Sequence, residues 1–243
     1  MLAQAKPAGQ DNWGYIDSSG KFIIEPAYRY CHPFSEDGYA PIYEKKRKSF
    51  YFIDKGGNEL STDVKTFKIK NIFGFGVKGF QDGMAMVQVD KKWGYLNLKG
   101  KLVITAKYEK ANPFVDGNAS AKSGSNWVIL NKEGNETVIN QKGVLEVRKF
   151  SEGFAPIKSS NKMLGFVNST GKLVIEAKFK GVGYFVDGLA WAKTMDGQVG
   201  YINQKGEWAI KPQFSKGKDF AKGSCFARVT KDDVKMLPKM ERL

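Results

Sequence analysis

Residues 13–28, WGYIDSSGKFIIEPAY, decide the fold of this chain because the same pattern returns along its whole length. It recurs as WGYLNLKGKLVITAKY at 93–108, LGFVNSTGKLVIEAKF at 164–179 and VGYINQKGEWAIKPQF at 199–214, with weaker copies FYFIDKGGNEL at 50–60 and WVILNKEGNETVI at 127–139. Each copy predicts a strand, a tight turn and a second strand. Glycine at the turn supplies a positive φ, and the six turn glycines are Gly20, Gly57, Gly100, Gly134, Gly171 and Gly206.

A second signature, Phe-x-x-Gly followed by Ala-x-Val or its equivalent, comes after each copy of the first. The spacing from the turn glycine to this Phe is 14 residues in four copies, 16 in the fourth and 23 in the second. Such a register predicts six repeats of roughly 35 residues, a length typical of stacked repeat units. The Phe and Gly, three residues apart in five copies and four in the first, are Phe34 and Gly38, Phe80 and Gly83, Phe114 and Gly117, Phe150 and Gly153, Phe185 and Gly188, and Phe220 and Gly223.

The predicted fold class is all-β, with each repeat an antiparallel meander of about three strands. A connector carries a second aromatic, and no segment has a helical apolar period. One unit cannot bury its apolar face alone, so the units must stack. A closed propeller-like ring is favoured over an open β-solenoid, because the last Ala-x-Val strand, at 227–229, has only the first Trp-Gly strand left to pair with. The predicted organisation is a tail at 1–11, one domain at 12–230 and a tail at 231–243.

These units resemble the WG-containing (KWG) repeat family over about residues 12–229. The resemblance rests on Trp13-Gly14-Tyr15-Ile16-Asp17, on Trp93-Gly94-Tyr95-Leu96-Asn97 and on the Phe-x-x-Gly-x-Ala segments, with Gly165 and Gly200 at the matching glycine position. It implies a β-rich repeat module and provides no catalytic residue. The second and fourth copies depart from the pattern, with Phe50-Tyr51 and Trp127-Val128 in place of Trp-Gly and no connector aromatic at the expected place. Either ligand specificity has changed there or those units are degenerate.

Charge is the first indication of function. The chain has 243 residues, with 39 Lys and Arg against 25 Asp and Glu, a formal net charge of +14. Such an excess attracts polyanions without specifying which. Solubility alone is the alternative explanation. No apolar run approaches the roughly 20 residues of a membrane-spanning helix.

Catalytic and metal-binding patterns are missing from the sequence. His32 is the one histidine, and it has no further ligands near it for zinc or for a triad. Cys31 and Cys225 are too few for a disulfide framework, and they can pair only if the chain ends meet. Asp82, Asp116 and Asp187 precede bend glycines, where turn formation explains them better than acid–base catalysis. We therefore predict no catalytic residue, no metal and no cofactor.

The N-terminal residues give a hint about location. Ala3-Gln4-Ala5 has the A-x-A form of a signal-peptidase site, but no apolar segment precedes it. One interpretation is a remnant of an export signal, and the other is a short polar tail. The favoured location is secreted, periplasmic or at the cell surface, and the alternative is cytoplasmic.

Aromatic residues divide into two predicted groups. Trp13, Trp93 and Trp127 recur at a fixed repeat position, which indicates a packing role in the core. Trp191 and Trp208 stand where sister repeats carry smaller residues, so they are the candidates for exposed stacking surfaces.

The long second connector is the strongest local departure from the repeat, and it interleaves cations with aromatic rings. Long loops on a rigid scaffold often carry recognition, and cations beside flat rings suit anionic chains. A solvated loop whose rings cover their own unit is the alternative. The candidate binding residues of this connector are Lys65, Phe67, Lys68, Lys70, Phe73, Phe75 and Lys78, and the neighbouring turn adds Lys45, Lys46, Arg47 and Lys48.

Together these observations predict a non-enzymatic binding module that is exported or surface-associated. It would engage an anionic ligand or an acidic protein partner through charge and loop aromatics. An intracellular nucleic-acid-binding protein is the alternative, followed by an enzyme on a propeller-like scaffold.

Overall fold

The structure is a computed structural model that describes residues 2–69, 71–72, 76–77, 79–221, 223–229 and 234–238. Every regular element in these residues is a β-strand, as the sequence predicts. Four predicted binding residues, Lys70, Phe73, Phe75 and Lys78, lie outside the described residues. The chain forms two compact units. Unit 1 comprises Met1–Phe114 and Lys132–Gly134, and unit 2 comprises Val115–Asn131 and Asn135–Leu243.

Unit 1 contains antiparallel sheets in the strand orders β1-β2-β3, β4-β5, β6-β7 and β8-β9-β10-β11. Its strands are β1 (Ala3–Ala5), β2 (Trp13–Ile16), β3 (Phe22–Tyr28), β4 (Ala40–Glu44), β5 (Ser49–Ile53), β6 (Asn71–Ile72), β7 (Gly76–Val77), β8 (Phe80–Gln81), β9 (Met84–Val89), β10 (Lys92–Asn97), β11 (Leu102–Tyr108) and β12 (Lys110–Ala111).

Unit 2 contains β13-β14-β15, β16-β17-β18-β19, β20-β21-β22-β23 and β24-β25-β26, again antiparallel. Its strands are β13 (Ala119–Ser123), β14 (Asn126–Leu130), β15 (Glu136–Val138), β16 (Val144–Val147), β17 (Phe154–Ser159), β18 (Leu164–Asn168), β19 (Leu173–Phe179), β20 (Gly181–Val182), β21 (Leu189–Lys193), β22 (Val199–Asn203), β23 (Trp208–Phe214), β24 (Lys216–Gly217), β25 (Ser224–Arg228) and β26 (Val234–Pro238).

The two sequence signatures meet in the core as pairs of aromatic rings. The aromatic residue two places after the Trp position packs against the Phe of the following Phe-x-x-Gly bend, with ring centroids 4.7 to 5.3 Å apart. Most of these pairs are edge-to-face or tilted, the geometry that aromatic quadrupoles favour. The pairs are Tyr15–Phe34, Phe52–Phe80, Tyr95–Phe114, Phe166–Phe185 and Tyr201–Phe220.

Neighbouring sheets stack by placing these rings on small residues. In unit 2 the buried cluster joins Phe166, Ile175 and Phe179 to Ala190 and Ala192 of the next sheet. The alanines of the Ala-x-Val strand leave room for the rings, which explains why the repeat keeps a small residue there.

The glycine after the Trp position is required by a bulge in the next strand. An added Cβ at Gly94 would lie 2.5 Å from the carbonyl oxygen of Ile104 and 2.7 Å from the amide nitrogen of Ala106. The register between β10 and β11 shifts at this point, which brings the backbone of β11 over the glycine. Gly14, Gly165 and Gly200 have the same close backbone neighbours beside the same shift.

The second repeat restores its missing connector aromatic with Phe67. The amide of Phe50 donates to the carbonyl oxygen of Phe67 at 3.1 Å, so Phe67 lies opposite the Trp position as Tyr28 does opposite Trp13. It is 4% exposed and stacks on Phe52 with centroids 5.6 Å apart. The connector aromatic is thus missing only from its expected place in the sequence, and Phe67 takes its role. The longer connector of this repeat shifts the aromatic residue along the sequence, but Phe67 still lies opposite the Trp position in the structure.

The bends of the second signature are tight hairpin turns. Asp82, Asp116, Glu152 and Asp187 all have positive φ, as do the glycines that follow them. Two consecutive positive φ values define the type I′ turn that suits a two-residue hairpin. Bend carboxylates also accept a hydrogen bond from the bend glycine of the next repeat, as Asp187 does from Gly223 at 2.9 Å. The structure thus confirms a turn role for these aspartates.

Both ends of the chain supply their own pairing strands, which corrects one prediction. β2 lies between β1 and β3, and β25 lies between β24 and β26. The expected pairing of the last Ala-x-Val strand with residues 13–17 is therefore wrong, because both edges of each strand are already occupied. Closure of a ring stays a prediction.

The N-terminal motif forms part of the first sheet. Ala3 pairs with Ile16 and Ala5 with Gly14, the register that Ala85 and Val87 have on β10. The Ala-x-Ala sequence is thus the Ala-x-Val strand of the first sheet and no longer supports an export signal. Residues 1–11 and 231–243, expected as tails, contain β1 and β26 respectively.

The Trp position itself is less buried than predicted. Trp13 is 36% exposed and Trp93 is half-buried, and each pairs with an aromatic residue of the next strand. Trp127 alone is buried, at 4% exposure, and its Nε1 donates to the carbonyl oxygen of Leu145 at 3.2 Å. The expectation of a core role is correct for Trp127 and wrong for Trp13, since the tyrosine two residues later fills the core.

Candidate functional site

The predicted basic turn, residues 45–48, joins β4 to β5 in unit 1. All four side chains are exposed, and Lys48 has a positive φ of 51°. Arg47 differs from the three lysines because its Nε lies 2.7 Å from Glu44 and its Nη1 lies 2.7 Å from Glu59. Its guanidinium also lies over the Tyr51 ring at 5.0 Å. Arg47 therefore neutralises Glu44 and Glu59, so these two carboxylates do not compensate the charge of the three lysines.

The structure brings the second predicted basic segment beside this turn. Ser49 Oγ donates to the carbonyl oxygen of Phe67 at 3.1 Å and accepts from its amide at 2.9 Å. Lys65 and Lys68 flank Phe67, and both are exposed. Phe67 is buried, so its predicted role as a ligand-binding ring is wrong. It anchors the segment that carries the two lysines.

A third turn continues the same path. Lys68 pairs with Gln88 through backbone hydrogen bonds of 2.9 and 2.7 Å, and Gln88 Nε2 donates to the carbonyl oxygen of Lys91 at 3.3 Å. The Lys91 side chain is exposed, as is that of the adjacent Asp90. We call the exposed lysines along this hydrogen-bonded path the basic rim, which consists of Lys45, Lys46, Lys48, Lys65, Lys68 and Lys91.

Aromatic side chains flank the basic rim. Tyr43 and Phe50 pair across β4 and β5, next to the pair Glu44–Ser49 that borders the basic turn. Their ring centroids are 5.1 Å apart. Tyr30 packs edge-on against Tyr43 at 6.1 Å and is 47% exposed. Rings beside lysines are what the sequence predicts for this region, but the residues are different ones.

The two tryptophans predicted as stacking surfaces lie in unit 2. Trp191 is half-buried and packs against Gly181 and Gly183, so it fills space between connectors instead of presenting a face. Trp208 is 36% exposed and meets Phe179 edge-on at 5.7 Å. Of the pair, only Trp208 keeps an accessible surface.

The remaining chemistry-bearing residues have structural surroundings. Both cysteines are free, and Cys225 Sγ donates to Tyr201 Oη at 3.1 Å. His32 is half-buried, and burial lowers the pKa of its imidazole. Among the residues that the structure describes, no three His, Cys, Asp or Glu side chains are grouped to hold a metal ion. No helix in that part of the chain is long and apolar enough to cross a membrane.

Sequence reasoning found the two basic segments and missed Lys91, Tyr30 and Tyr43. Lys91 occupies the turn between the Ala-x-Val strand and the Trp-Gly strand, the same repeat position as residues 45–48. Alignment of the repeats would have placed these two turns side by side. Tyr30 and Tyr43 carry no repeat signal, because they belong to a connector and to a strand end.

The architecture described above has counterparts among known proteins. The chain is an all-β repeat protein built of antiparallel meanders, the class used widely as a scaffold for binding. The profile described as "WG containing repeat" matches residues 13–46, 76–93, 93–127, 165–197 and 200–234. The chain belongs to this family. The search of curated proteins gives no match.

Three solved structures are similar to this chain, and only the first of them has a TM-score that supports the fold. The computationally designed Ika8 protein is similar with 13% identity and a TM-score of 0.51, covering 98% of this chain and 82% of that one. The WD40 β-propeller domain of Doa1 has 12% identity and a TM-score of 0.41, covering 93% and 78%. BamB from Moraxella catarrhalis has 12% identity and a TM-score of 0.42, covering 89% and 76%.

Proposed function

We propose that this protein is a non-enzymatic binding module that engages an anionic polymer or an acidic protein surface through the basic rim. The observation that carries the proposal is the hydrogen-bonded path that joins three lysine-bearing segments. Those segments are distant in sequence, and Arg47 occupies the two carboxylates nearest the first of them. A net charge of +14 adds long-range attraction.

Lysine supplies a mobile point charge, whereas arginine provides fixed bidentate geometry. A rim built of lysines therefore suits a polymer with many similar anionic groups better than one shaped anion. Because the lysines lie on turns and on a connector that backbone hydrogen bonds hold in place, the scaffold presents them without folding on binding. We propose that the basic rim binds its ligand and catalyses no reaction.

The test removes charge from the rim and compares it with equal charge removal elsewhere. The variant K45S/K46S/K48S keeps Arg47 and its ion pairs. The control K99S/K172S/K205S removes the same charge from exposed turns of three other sheets. Both variants are titrated with single-stranded DNA, duplex DNA, an acidic polysaccharide and anionic vesicles at two salt concentrations.

We expect the rim variant to lose at least about tenfold in affinity for one polymer, and the control less than about threefold. The slope of log affinity against log salt should become shallower by about 0.9 for duplex DNA, or about 0.7 for single-stranded DNA, for each phosphate contact removed. An equal loss in both variants would refute the rim, because it would mean attraction by net charge alone.

Single-stranded nucleic acid is the second candidate ligand, and the exposed Tyr30 favours it. Bases stack on aromatic side chains in grooves lined with positive charge. A Tyr30→Ala variant should weaken binding of single-stranded DNA and leave the acidic polysaccharide unaffected. The same loss for both ligands would exclude base stacking on Tyr30.

A further inference from the structure

Unit 2 contains a cavity of about 440 Å³ where the fourth repeat departs from the pattern. In complete repeats the third strand has seven residues and ends in an aromatic, as β11 and β19 do. In the fourth repeat β15 has three residues, and the chain leaves the sheet after Val138. The cavity lies between the start of β14 and residues 139–144, where the rest of that strand would run.

One part of the cavity lining is apolar. Trp127 and Ile139 belong to the buried cluster beneath it, and Val138, 62% exposed, forms one wall. Trp127 Nε1 is already bonded to the carbonyl oxygen of Leu145, so the indole offers the cavity only carbon surface. Trp127 and Ile139 are almost fully covered, so the exposed Val138 provides the apolar surface that can pack against the C–H face of a ring.

Polar groups on the walls point to hydroxyl chemistry. Asn126, Asn140 and Gln141 contribute amides, each with both donors and an acceptor. Among the described residues, the side chains of Asn126 and Asn140 have no hydrogen-bond partner. The backbone of Asn140 is fixed, because its amide donates to the carbonyl oxygen of Gly171 at 2.9 Å. Groups that donate and accept at once, as sugar hydroxyls do, match this lining.

The charge of the cavity lining favours a ligand that carries an acidic group. Lys142 is exposed at the mouth, and the described lining contains no carboxylate. A ligand with one acidic group would therefore gain a charge-assisted contact and meet no repulsion. Cavities of a few hundred Å³ with an apolar floor and few polar groups are typical small-molecule sites.

We propose that this cavity binds a pyranose ring that bears an acidic substituent, such as a uronic acid residue. The ring would lie against the exposed Val138, beside the small accessible part of Trp127, with its hydroxyls on Asn126 and Asn140 and its carboxylate near Lys142. The cavity shares no residue with the basic rim, so the two proposals stand or fall separately.

The experiment uses the full chain with methyl glucuronide and methyl glucoside as probes. Amide and indole resonances are followed by NMR during each titration. We expect the glucuronide to shift the Trp127 indole and Asn140 side-chain signals, with weak affinity on the order of millimolar for so small a ligand. The glucoside should bind at least about threefold more weakly.

Two variants separate the cavity from the rest of the surface. Lys142→Met should remove the preference for the glucuronide and leave glucoside binding unchanged. Val138→Trp should fill the cavity and abolish both, whereas Val103→Trp, at an exposed valine of β11, should change neither. The proposal is overturned if neither sugar shifts the cavity signals, if both bind equally, or if Val138→Trp and Val103→Trp behave alike.

Discussion

Replacing Gly94 with alanine tests why this family keeps a glycine after its tryptophan. The new Cβ would lie 2.5 Å from the Ile104 carbonyl oxygen, 2.7 Å from the Ala106 nitrogen and 2.9 Å from the Ala106 Cα. Real Cβ atoms do not approach other atoms within 3.0 Å. All three neighbours are backbone, so no side-chain rotation can relieve the overlap and β10 must move away from β11.

The expected cost follows from that displacement. Overpacking of a tight interior site costs about 1–3 kcal/mol, and backbone neighbours place this site at or above the upper end. For a chain of this size each kcal/mol lowers the melting temperature by about 2–4 °C, which predicts a fall of roughly 6–12 °C. Circular dichroism melting of both proteins measures it.

Gly117→Ala is the matched control. Gly117 has a positive φ of 77°, and an added Cβ there would meet nothing within 4 Å. Only the left-handed conformation is penalised, at about 1–2 kcal/mol. If Gly94→Ala proved as mild as Gly117→Ala, the crossing of β11 over the glycine would be refuted as the reason for the Trp-Gly signature.

Three further changes test separate parts of the account. Phe67→Leu should lower the free energy of unfolding by about 1–2 kcal/mol, because it removes the stack on Phe52. Its affinity for polyanions should not change. A loss of affinity at unchanged stability would show instead that Phe67 contacts the ligand. Tyr95→Phe removes the hydroxyl that donates to the Asn112 carbonyl oxygen at 2.7 Å, so chemical denaturation should show a loss of about 1–3 kcal/mol, and no loss would mean that water replaces it freely. Burial lowers the pKa of His32 below its ordinary 6.5, so its neutral form favours the folded state. Stability should therefore fall more steeply from pH 7 to pH 5 in the wild type than in His32→Gln, and NMR titration of this single imidazole should give a pKa below 6.5; parallel stability curves would contradict the burial.

The sequence predicts the sheets well because each strand carries its own signal. Alternation, turn glycines and the two aromatic signatures recur in register, whereas core pairs such as Tyr95 with Phe114 are visible only in the structure. The bend aspartates were likewise predictable, since Asp-Gly between strands specifies a hairpin turn.

The spacing of the repeats does not predict the features in which the structure differs from the expectation. Phe67 returns to the connector position only after an insertion, and a linear count places it in a loop. Trp127 is buried in a cluster with Val147 and Phe150, and its Nε1 donates to the carbonyl oxygen of Leu145, so its burial depends on residues distant in the sequence. Ala3-Gln4-Ala5 is too short for its β pairing to show in the sequence, so it suggested a cleavage site instead.

The candidate binding surface was predictable only in part, again because it joins distant segments. Runs of lysine mark residues 45–48 and the second connector, but the contact between them depends on Ser49 and Phe67, which carry no charge. Lys91 and Tyr30 complete the surface from other segments. Sequence reasoning therefore identified the charge and not its arrangement.

Lysine footprinting tests the central claim most directly. The protein is acetylated at limiting reagent with and without the tightest-binding polymer of the panel, and each lysine is quantified by mass spectrometry. The account predicts strong protection of Lys45, Lys46, Lys48, Lys65, Lys68 and Lys91, with little change at Lys99, Lys172 and Lys205. Protection spread evenly over both sets would contradict a dedicated rim and leave only attraction by net charge.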